Sequence, residues 1–190
     1  VTIEDTCQAI GAAPVVGLTA CYSFYPAKIL GCYGDGGAIA TNDKDVYEML
    51  KIARNHFKGD WKPYGYNSRL DNLQAAVLNV KIKHLPDYIS RRKEIAMQYD
   101  TLRGIVKVAD PRKVYQDYII GTDKRDELYE FLKAEGIETM KNEYPFPADL
   151  VKPPLALAFE ASTLRLPINE ILTDNQVHEV IDSIKKFYGA

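Results

Sequence analysis

Lys28 is the residue of this 190-residue chain whose sequence context points most directly to chemistry. It lies in Ser23-Phe24-Tyr25-Pro26-Ala27-Lys28-Ile29-Leu30-Gly31, between two predicted strands. An amine held among aromatic and apolar groups loses hydration, which lowers its pKa and supplies the neutral nucleophile that forms a Schiff base. The competing interpretation is an ordinary solvated surface lysine, as most lysines are.

Asp5 is the second candidate, because it directly follows a predicted strand, Val1-Thr2-Ile3-Glu4. Ligand contacts in α/β proteins lie at the C-terminal ends of strands. A carboxylate in this position can equally be the N-cap of a helix. Gln8, three residues later, is then either the capping-box partner of Asp5 or a second ligand contact.

Strand and helix patterns alternate along the first half of the chain. Short β-rich runs lie at residues 15–18, 21–24 and 38–41. A helix capped by Asn42 or Asp43 follows, with Val46, Leu50, Ala53 and Phe57 at helical spacing. The run Gly34-Asp35-Gly36-Gly37 predicts a turn that needs positive φ; a phosphate cradle is the weaker interpretation, since no G-K-[ST] follows.

A capping box, Ser68-x-x-Asp71, predicts a second helix. Its core face would consist of Leu73, Ala76, Val77 and Val80. Pro86 should interrupt this helix, and the periodic pattern resumes after it as far as Gly104.

The rest of the chain predicts a small α+β unit. Strands are expected at residues 105–108, 115–120 and 163–168. A helix should run from Asp123 to a terminal Gly136, and a last helix should begin at the capping box Thr173-x-x-Gln176.

Composition and charge exclude several classes of protein. The net charge is −2, and 46% of the residues are hydrophobic, so neither nucleic acid nor an anionic membrane is an expected partner. The histidines are scattered, which argues against a metal site. The cysteines, Cys7, Cys21 and Cys32, are odd in number without C-x-x-C spacing, which indicates a reducing compartment, the cytoplasm.

Three segments form an ordered series with characteristic separations. They are Ile3-Glu4-Asp5-Thr6-Cys7-Gln8-Ala9-x-Gly11-Ala12, Ser23-Phe24-x-Pro26-x-Lys28-x-Leu30-Gly31-x-x-Gly34-Asp35-Gly36-Gly37 and Gly65-Tyr66-Asn67-x-Arg69-Leu70-Asp71-x-x-Gln74-Ala75-Ala76. Together they resemble the DegT/DnrJ/EryC1/StrS family of pyridoxal-phosphate (PLP) sugar aminotransferases. The resemblance implies the α/β fold of fold type I aminotransferases. Residues 1–86 would be the C-terminal part of the large PLP-binding domain, and residues 87–190 the small C-terminal α+β domain.

The resemblance also implies roles for single residues. Lys28 matches the lysine that forms the internal aldimine with PLP and then carries the proton. Asp5 matches the carboxylate that pairs with the pyridine nitrogen, and Gln8 matches a residue beside the ring. Ser23 matches a hydroxyl that binds the cofactor phosphate. Asn67 matches an amide that reaches the phosphate of the neighbouring subunit's cofactor, which implies a homodimer with shared active sites.

Two more residues are candidates for substrate binding. Arg69 suits a sugar diphosphate, because a planar guanidinium binds such anions well, although a structural ion pair explains it equally. Tyr144 begins a segment that matches an active-site loop of the family. That loop often begins with a histidine, whereas Asn142 and Glu143 stand in this region here.

The resemblance covers only part of a family member, since members run to roughly twice this length, beyond the one-domain expectation. We expect the chain to be a fragment, a nicked product or one piece of a protein whose first half is a separate chain. Alone it should bind PLP poorly, because half of the pocket walls would be absent.

The expected reaction is amino transfer from L-glutamate to a keto-sugar linked to a nucleotide diphosphate, as in polysaccharide biosynthesis. Lys28 argues against the branch of the family that dehydrates sugars, in which a histidine replaces the lysine. One alternative is a non-catalytic regulatory or interaction protein with the same fold. Another is a generic nucleotide-binding α/β domain, which leaves the segment from Ser23 to Lys28 unexplained.

Overall fold

The computed structural model describes residues 1–12, 14–58, 64–103, 105–107, 112–143 and 151–189. The chain divides into two compact units, Val1–Asp87 and Tyr88–Ala190, and each has its own sheet. No helix in these described ranges is long and apolar enough to cross a membrane.

The first unit contains a three-stranded sheet in the order β1-β2-β3. The strands are β1 (Ile3–Asp5), β2 (Thr19–Ser23) and β3 (Gly37–Ala40). Strand β1 runs parallel to β2, and β3 runs antiparallel to β2. The helices are α1 (Lys44–Ala53), α2 (Asn72–Lys81) and a 3-10 turn (Ile82–His84), after which α3 (Leu85–Tyr99) begins.

The helix start at Asp43 and the break at Pro86 are confirmed. The Asp43 carboxylate accepts hydrogen bonds from the N–H groups of Asp45 and Val46, which would otherwise have no partner inside the helix. The 3-10 turn separates α2 from α3, and Pro86 is the second residue of α3, where a missing N–H costs nothing. Phe57 lies beyond α1, with a φ of 49°.

The expected strand at residues 15–18 is wrong, and Glu4 supplies the reason. Its side chain accepts hydrogen bonds from the backbone N–H groups of Val16, at 2.7 Å, and Gly17. Those donors are therefore used by a side chain and not by a strand ladder.

The capping box at Ser68 is also wrong. The Ser68 N–H donates to the carbonyl of Arg54 at 2.9 Å, and α2 begins only at Asn72. Asp71 is the N-cap of α2, without a side-chain capping bond. The predicted core face is wrong as well: Leu73 is 80% exposed and Val80 60%, while Leu78 is buried. Helix α2 carries apolar residues on two sides, and the side centred on Leu78 is the buried one.

The glycine run at residues 34–37 does not adopt positive φ, which corrects the predicted reason for it. Close approach explains the glycines. A Cβ on Gly36 would lie 2.8 Å from the sulfur of Cys32, and one on Gly37 would lie 2.8 Å from the Tyr22 carbonyl oxygen.

The second unit has a four-stranded antiparallel sheet in the order β4-β5-β7-β6. Its strands are β4 (Val106–Lys107), β5 (Tyr118–Gly121), β6 (Met140–Lys141) and β7 (Thr163–Leu166). Its helices after α3 are α4 (Arg125–Ala134), α5 (Pro154–Ser162) and α6 (Asp174–Tyr188). The capping box of Thr173 and Gln176 is confirmed, as is Gly136 after α4 with a φ of 79°.

The core of the second unit is larger than that of the first. Helices α3, α4 and α6 bury one face each against β5 and β7, through Ile95, Tyr99, Leu128, Leu132, Ile120, Leu164, Val177 and Ile184. In the first unit the buried cluster is small, consisting of Leu30, Cys32 and Leu78. Ile3 of β1 is 68% exposed in the described chain.

Candidate active site

The site lies at the C-terminal ends of two parallel strands. Asp5 ends β1 and is paired in register with Cys21, two residues before Ser23 ends β2. Thr6, the residue after β1, is bonded to β2: its N–H and hydroxyl both donate to the Cys21 carbonyl, at 3.0 and 2.7 Å. Carboxyl ends of parallel strands are where α/β proteins present ligand-binding groups.

The Asp5 carboxylate is held by the backbone that follows it. Its Oδ1 accepts a hydrogen bond from the Cys7 N–H at 3.1 Å. This bond is the main reason that the pKa of Asp5 lies below its ordinary value. The Cys7 thiol lowers the pKa further, and the positive charge of Lys28 adds a smaller effect in the same direction. Asp5 is therefore ionised at neutral pH and lies within electrostatic reach of Lys28.

The helix N-cap interpretation of Asp5 is wrong, because no helix begins in residues 6–12. The bond from the Cys7 N–H to the Asp5 side chain is instead a local turn between residues two apart. Gln8 consequently has no capping role, and its side chain is exposed in the turn that follows Asp5.

Lys28 is the last residue of a turn, and the two residues that follow it are buried. Its N–H donates to the Tyr25 carbonyl at 2.9 Å, and the next two residues, Ile29 and Leu30, are buried to 1% and 2% exposure. Lys28 itself is half-buried. Tyr25 is 54% exposed, so the aromatic enclosure expected from the sequence is not formed by that side chain in the described chain.

Ser23 is connected to the same turn. Its Oγ accepts a hydrogen bond from the Tyr25 N–H at 3.3 Å, which leaves the hydroxyl hydrogen available as a donor. The structure thus brings three of the predicted residues, Asp5, Ser23 and Lys28, to one edge of the sheet.

Asn67 and Arg69 lie on a different segment of the first unit. Asn67 forms an isolated antiparallel bridge with Asn55, and Arg69 donates to the Asn55 side-chain oxygen at 2.5 Å. Both side chains are exposed, and within the described residues no hydrogen bond joins either of them to Asp5, Ser23 or Lys28. The structural partner of Arg69 is an amide oxygen and not the carboxylate of an ion pair.

Tyr144 lies outside the described residues, but the structure settles the role of nearby Asn142. Asn142 is 2% exposed, its Nδ2 donates to the Thr163 hydroxyl at 2.9 Å, and its Oδ1 accepts from the Arg165 guanidinium. It is therefore a structural residue of the second unit, because both ends of its amide are used internally.

Sequence reasoning missed three residues around the site: Cys7, Gln74 and Lys81. Cys7 and Gln74 stand inside the motifs quoted above, but nothing in a motif says which neighbour a side chain contacts. Lys81 donates to the Gly31 carbonyl, 50 positions away in the chain, and no local pattern reveals a contact of that range. Within the described residues, no group of three or more His, Cys, Asp or Glu side chains could hold a metal ion.

The sequence model of the DegT/DnrJ/EryC1/StrS aminotransferase family matches residues 1–185, and the chain belongs to this family. The fold agrees: the crystal structure of a DegT DnrJ EryC1 StrS aminotransferase from Brucella abortus superimposes with a TM-score of 0.89 at 33% identity. That match covers 99% of this chain and 57% of the other. The predicted family and the predicted fold type I class are both confirmed.

Two curated relatives are similar over nearly the whole chain. The pleiotropic regulatory protein of Geobacillus stearothermophilus is 37% identical over 99% of this chain. The dTDP-3-amino-3,4,6-trideoxy-alpha-D-glucose transaminase of Streptomyces venezuelae is 36% identical over 97% of it. The chain spans 58% and 56% of the lengths of these two relatives.

Proposed function

We propose that the protein containing this chain is a PLP-dependent aminotransferase. It would move an amino group from L-glutamate to a keto-sugar linked to a nucleotide diphosphate. The observation that carries the proposal is the placement of Asp5 and Ser23 at the ends of paired parallel strands, with the Ser23 hydroxyl bonded to the turn that carries Lys28, in a chain of this family. The transaminase of Streptomyces venezuelae, named for a dTDP-sugar, supports the substrate class.

The groups at the sheet edge suit PLP by their chemistry. The cofactor has an aldehyde, a basic pyridine nitrogen and a phosphate, and the edge presents an amine, a carboxylate and a hydroxyl. When bound, PLP serves as an electron sink that stabilises negative charge at the substrate carbon that loses a proton. The residues present therefore fit the cofactor.

Each residue would have a distinct task. Lys28 Nζ would bind the aldehyde carbon and later accept and return the proton of the substrate carbon. The Asp5 carboxylate would accept the hydrogen bond of the protonated pyridine nitrogen and keep the proton there. The Ser23 hydroxyl would donate to the phosphate, since its oxygen already accepts from the Tyr25 N–H.

The remaining assignments rest on the resemblance to the family. Gln8 would lie beside the cofactor ring, and Arg69 and Tyr144 would bind the substrate. Asn67 would reach the cofactor of a second subunit in a homodimer, which its exposure permits. We further propose that residues 1–86 belong to the large PLP-binding domain and residues 87–190 to the small one. The cytoplasm is the proposed location, in keeping with three free cysteines and a role in polysaccharide biosynthesis.

Borohydride trapping tests the proposal. The full-length protein that contains this chain is purified, mixed with PLP, reduced, digested and mapped by peptide mass. The expected result is a pyridoxyl group on Lys28, which Lys28→Arg abolishes and the matched exposed-lysine variant Lys83→Arg does not. Absence of label on Lys28 in the unsubstituted protein overturns the proposal. It would leave the regulatory alternative, to which the name of the Geobacillus stearothermophilus relative points.

Substrate class is tested separately through Arg69. Arg69→Met should raise KM for a nucleotide-linked keto-sugar with little change in KM for L-glutamate, because the guanidinium binds the diphosphate. Asn55→Ala removes the amide oxygen that holds Arg69 and should have a smaller effect of the same kind. Equal KM values in Arg69→Met and the unsubstituted protein would mean that Arg69 is purely structural.

A further inference from the structure

Lys81, the last residue of α2, makes an internal hydrogen bond. Its Nζ donates to the carbonyl oxygen of Gly31 at 2.6 Å, and the side chain is half-buried. A hydrogen bond from a charged donor is stronger than a neutral one. Gly31 is itself buried and lies three residues after Lys28. The contact therefore falls on residues 28–34, the segment that begins with the proposed nucleophile.

Gln74 makes a second contact from the same helix to the same segment. Its side-chain oxygen accepts a hydrogen bond from the Tyr33 N–H at 2.8 Å. A Cβ placed on Gly34 would lie 3.0 Å from the Gln74 side-chain nitrogen, so the backbone there runs close against this side chain. Gln74 and Lys81 therefore hold the segment at two points.

Both contacts come from one face of α2. Gln74 and Lys81 are seven residues apart, two helical turns, and Leu78 lies between them on that face. Leu78 is buried in a cluster with Leu30 and Cys32, which belong to the same segment. Two polar contacts thus flank one apolar contact, and together they fix the segment against α2.

Gly31 connects these contacts to the turn that ends at Lys28. A Cβ on Gly31 would lie 2.7 Å from the Tyr25 carbonyl oxygen, so the glycine backbone lies directly against the turn. That same oxygen accepts the N–H of Lys28. Movement of Gly31 would therefore move the backbone from which the Lys28 side chain extends.

We propose that Gln74 and Lys81 are positioning residues for Lys28: from one face of α2 they fix the segment after it and so fix the backbone from which its amine extends. This inference rests on the proposed function, because it gives the contacts a role in placing the lysine that binds PLP. Both side chains bond to backbone atoms of this segment, at Tyr33 and Gly31. They act through the position of the Lys28 amine, and reaction rates depend strongly on the positions of the reacting groups.

The test uses variants that separate charge, acceptor and bulk. Lys81→Met removes the ammonium but keeps an unbranched stem, and Lys81→Arg restores a charged donor. Gln74→Leu removes the acceptor for the Tyr33 N–H, and Gln74→Glu keeps one. Lys83→Met is the matched control, since Lys83 is an exposed lysine two residues from Lys81.

Two measurements are made on each protein: the rate at which PLP becomes borohydride-fixed on Lys28, and hydrogen exchange of the amides at positions 29–34. Lys81→Met and Gln74→Leu should slow fixation roughly tenfold and speed exchange in this segment, because the amine is no longer held in place. Lys81→Arg and Gln74→Glu should recover most of the rate. In turnover, the loss should fall on kcat with KM for L-glutamate changed less than about twofold.

The outcomes separate this inference from the function on which it rests. Fixation at the unsubstituted rate in both Lys81→Met and Gln74→Leu overturns the positioning role and leaves the aminotransferase proposal intact. Slow fixation without recovery in Lys81→Arg and Gln74→Glu, with exchange raised throughout the chain, also overturns it, since that pattern is general destabilisation. No fixation on Lys28 in the unsubstituted protein overturns the proposed function and this inference with it.

Discussion

Asp5 and Cys7 form a closed turn at the end of β1, in which the Cys7 N–H donates to the Asp5 carboxylate at 3.1 Å. The Cys7 sulfur lies 3.6 Å from the Cys21 carbonyl oxygen, so the thiol stands between the carboxylate and the neighbouring strand. The proximity of Asp5 raises the pKa of the Cys7 thiol. Cys7 is accordingly a hydrogen-bond donor at this edge and not a reactive thiolate.

Cys7→Ala should raise the pKa of Asp5 only part of the way toward its ordinary value of 3.8. Alanine lacks the thiol but retains the backbone N–H, which is the largest cause of the lowering. A lowered folded-state pKa contributes stability that is present above the unfolded value and is lost as the pH falls through the folded value. Carbon-detected NMR titration of the Asp5 carboxyl checks the shift, and a full return to 3.8 would contradict it.

Gly31→Ala should displace the turn that carries Lys28. The added Cβ would collide with the carbonyl oxygens of Pro26 and Tyr25, and both belong to backbone that cannot rotate away. We expect a cost of about 1–3 kcal/mol in the free energy of unfolding and loss of PLP fixation on Lys28. Gly136→Ala is the control: its site has a φ of 79° and open space, so it should cost about 1 kcal/mol and leave fixation intact. Normal fixation in Gly31→Ala would show that the turn tolerates the shift.

Local signals explain which elements could be predicted from the sequence. The capping box of Thr173 and the proline at position 86 act within a few residues, and the structure contains both features. Helix α5 was missed because Leu155 to Phe159 is apolar at every position and shows no helical period. The strand expected at residues 15–18 failed because the Glu4 side chain takes its backbone donors.

The same distinction between local and long-range signals applies to the residues of the candidate site. The sequence predicted that Asp5 lies at the end of a strand, and the structure has it there. The roles of Asp5 and Lys28 stay predictions. The contacts of α2 with Gly31 and Tyr33 could not be predicted from the sequence, because Lys81 and Gln74 are 50 and 41 residues away from their partners. Such contacts exist only after the chain has folded, and a single sequence carries no periodic trace of them.

Alkaline pH should destabilise the second unit through two buried tyrosines. Burial raises the pKa of both Tyr99 and Tyr118 well above the ordinary value of 10. The unfolded chain loses these protons near pH 10 while the folded chain keeps them, so stability is fully present below pH 10 and falls as the pH rises beyond it. Urea unfolding at pH 8 and pH 11 measures the loss.

Tyrosine-to-phenylalanine variants test whether Tyr99 and Tyr118 cause the loss of stability at alkaline pH. The Tyr99 hydroxyl donates to the Pro167 carbonyl at 2.8 Å, and the Tyr118 hydroxyl donates to the Asp100 carboxylate at 2.6 Å. Tyr118→Phe and Tyr99→Phe should each cost about 1 kcal/mol at pH 8 and reduce the difference between pH 8 and pH 11. An unchanged difference in the double variant would mean that other groups cause the alkaline loss.

Arg92→Met should be the most damaging single substitution among those considered for the second unit. Arg92 is 5% exposed, and its Nη1 donates to the carbonyl oxygens of Tyr115 and Ile168, both at 3.1 Å. Nη1 also donates to the Gln116 carbonyl oxygen at 3.4 Å, and Nη2 pairs with Glu170 at 3.0 Å. Removal of the guanidinium therefore leaves a carboxylate and three carbonyls without their charged partner. We expect a loss of about 3–5 kcal/mol in the free energy of unfolding, measured by urea denaturation. The exposed Arg103→Met should change it by less than about 0.5 kcal/mol, and equal effects of the two variants would refute the role of Arg92.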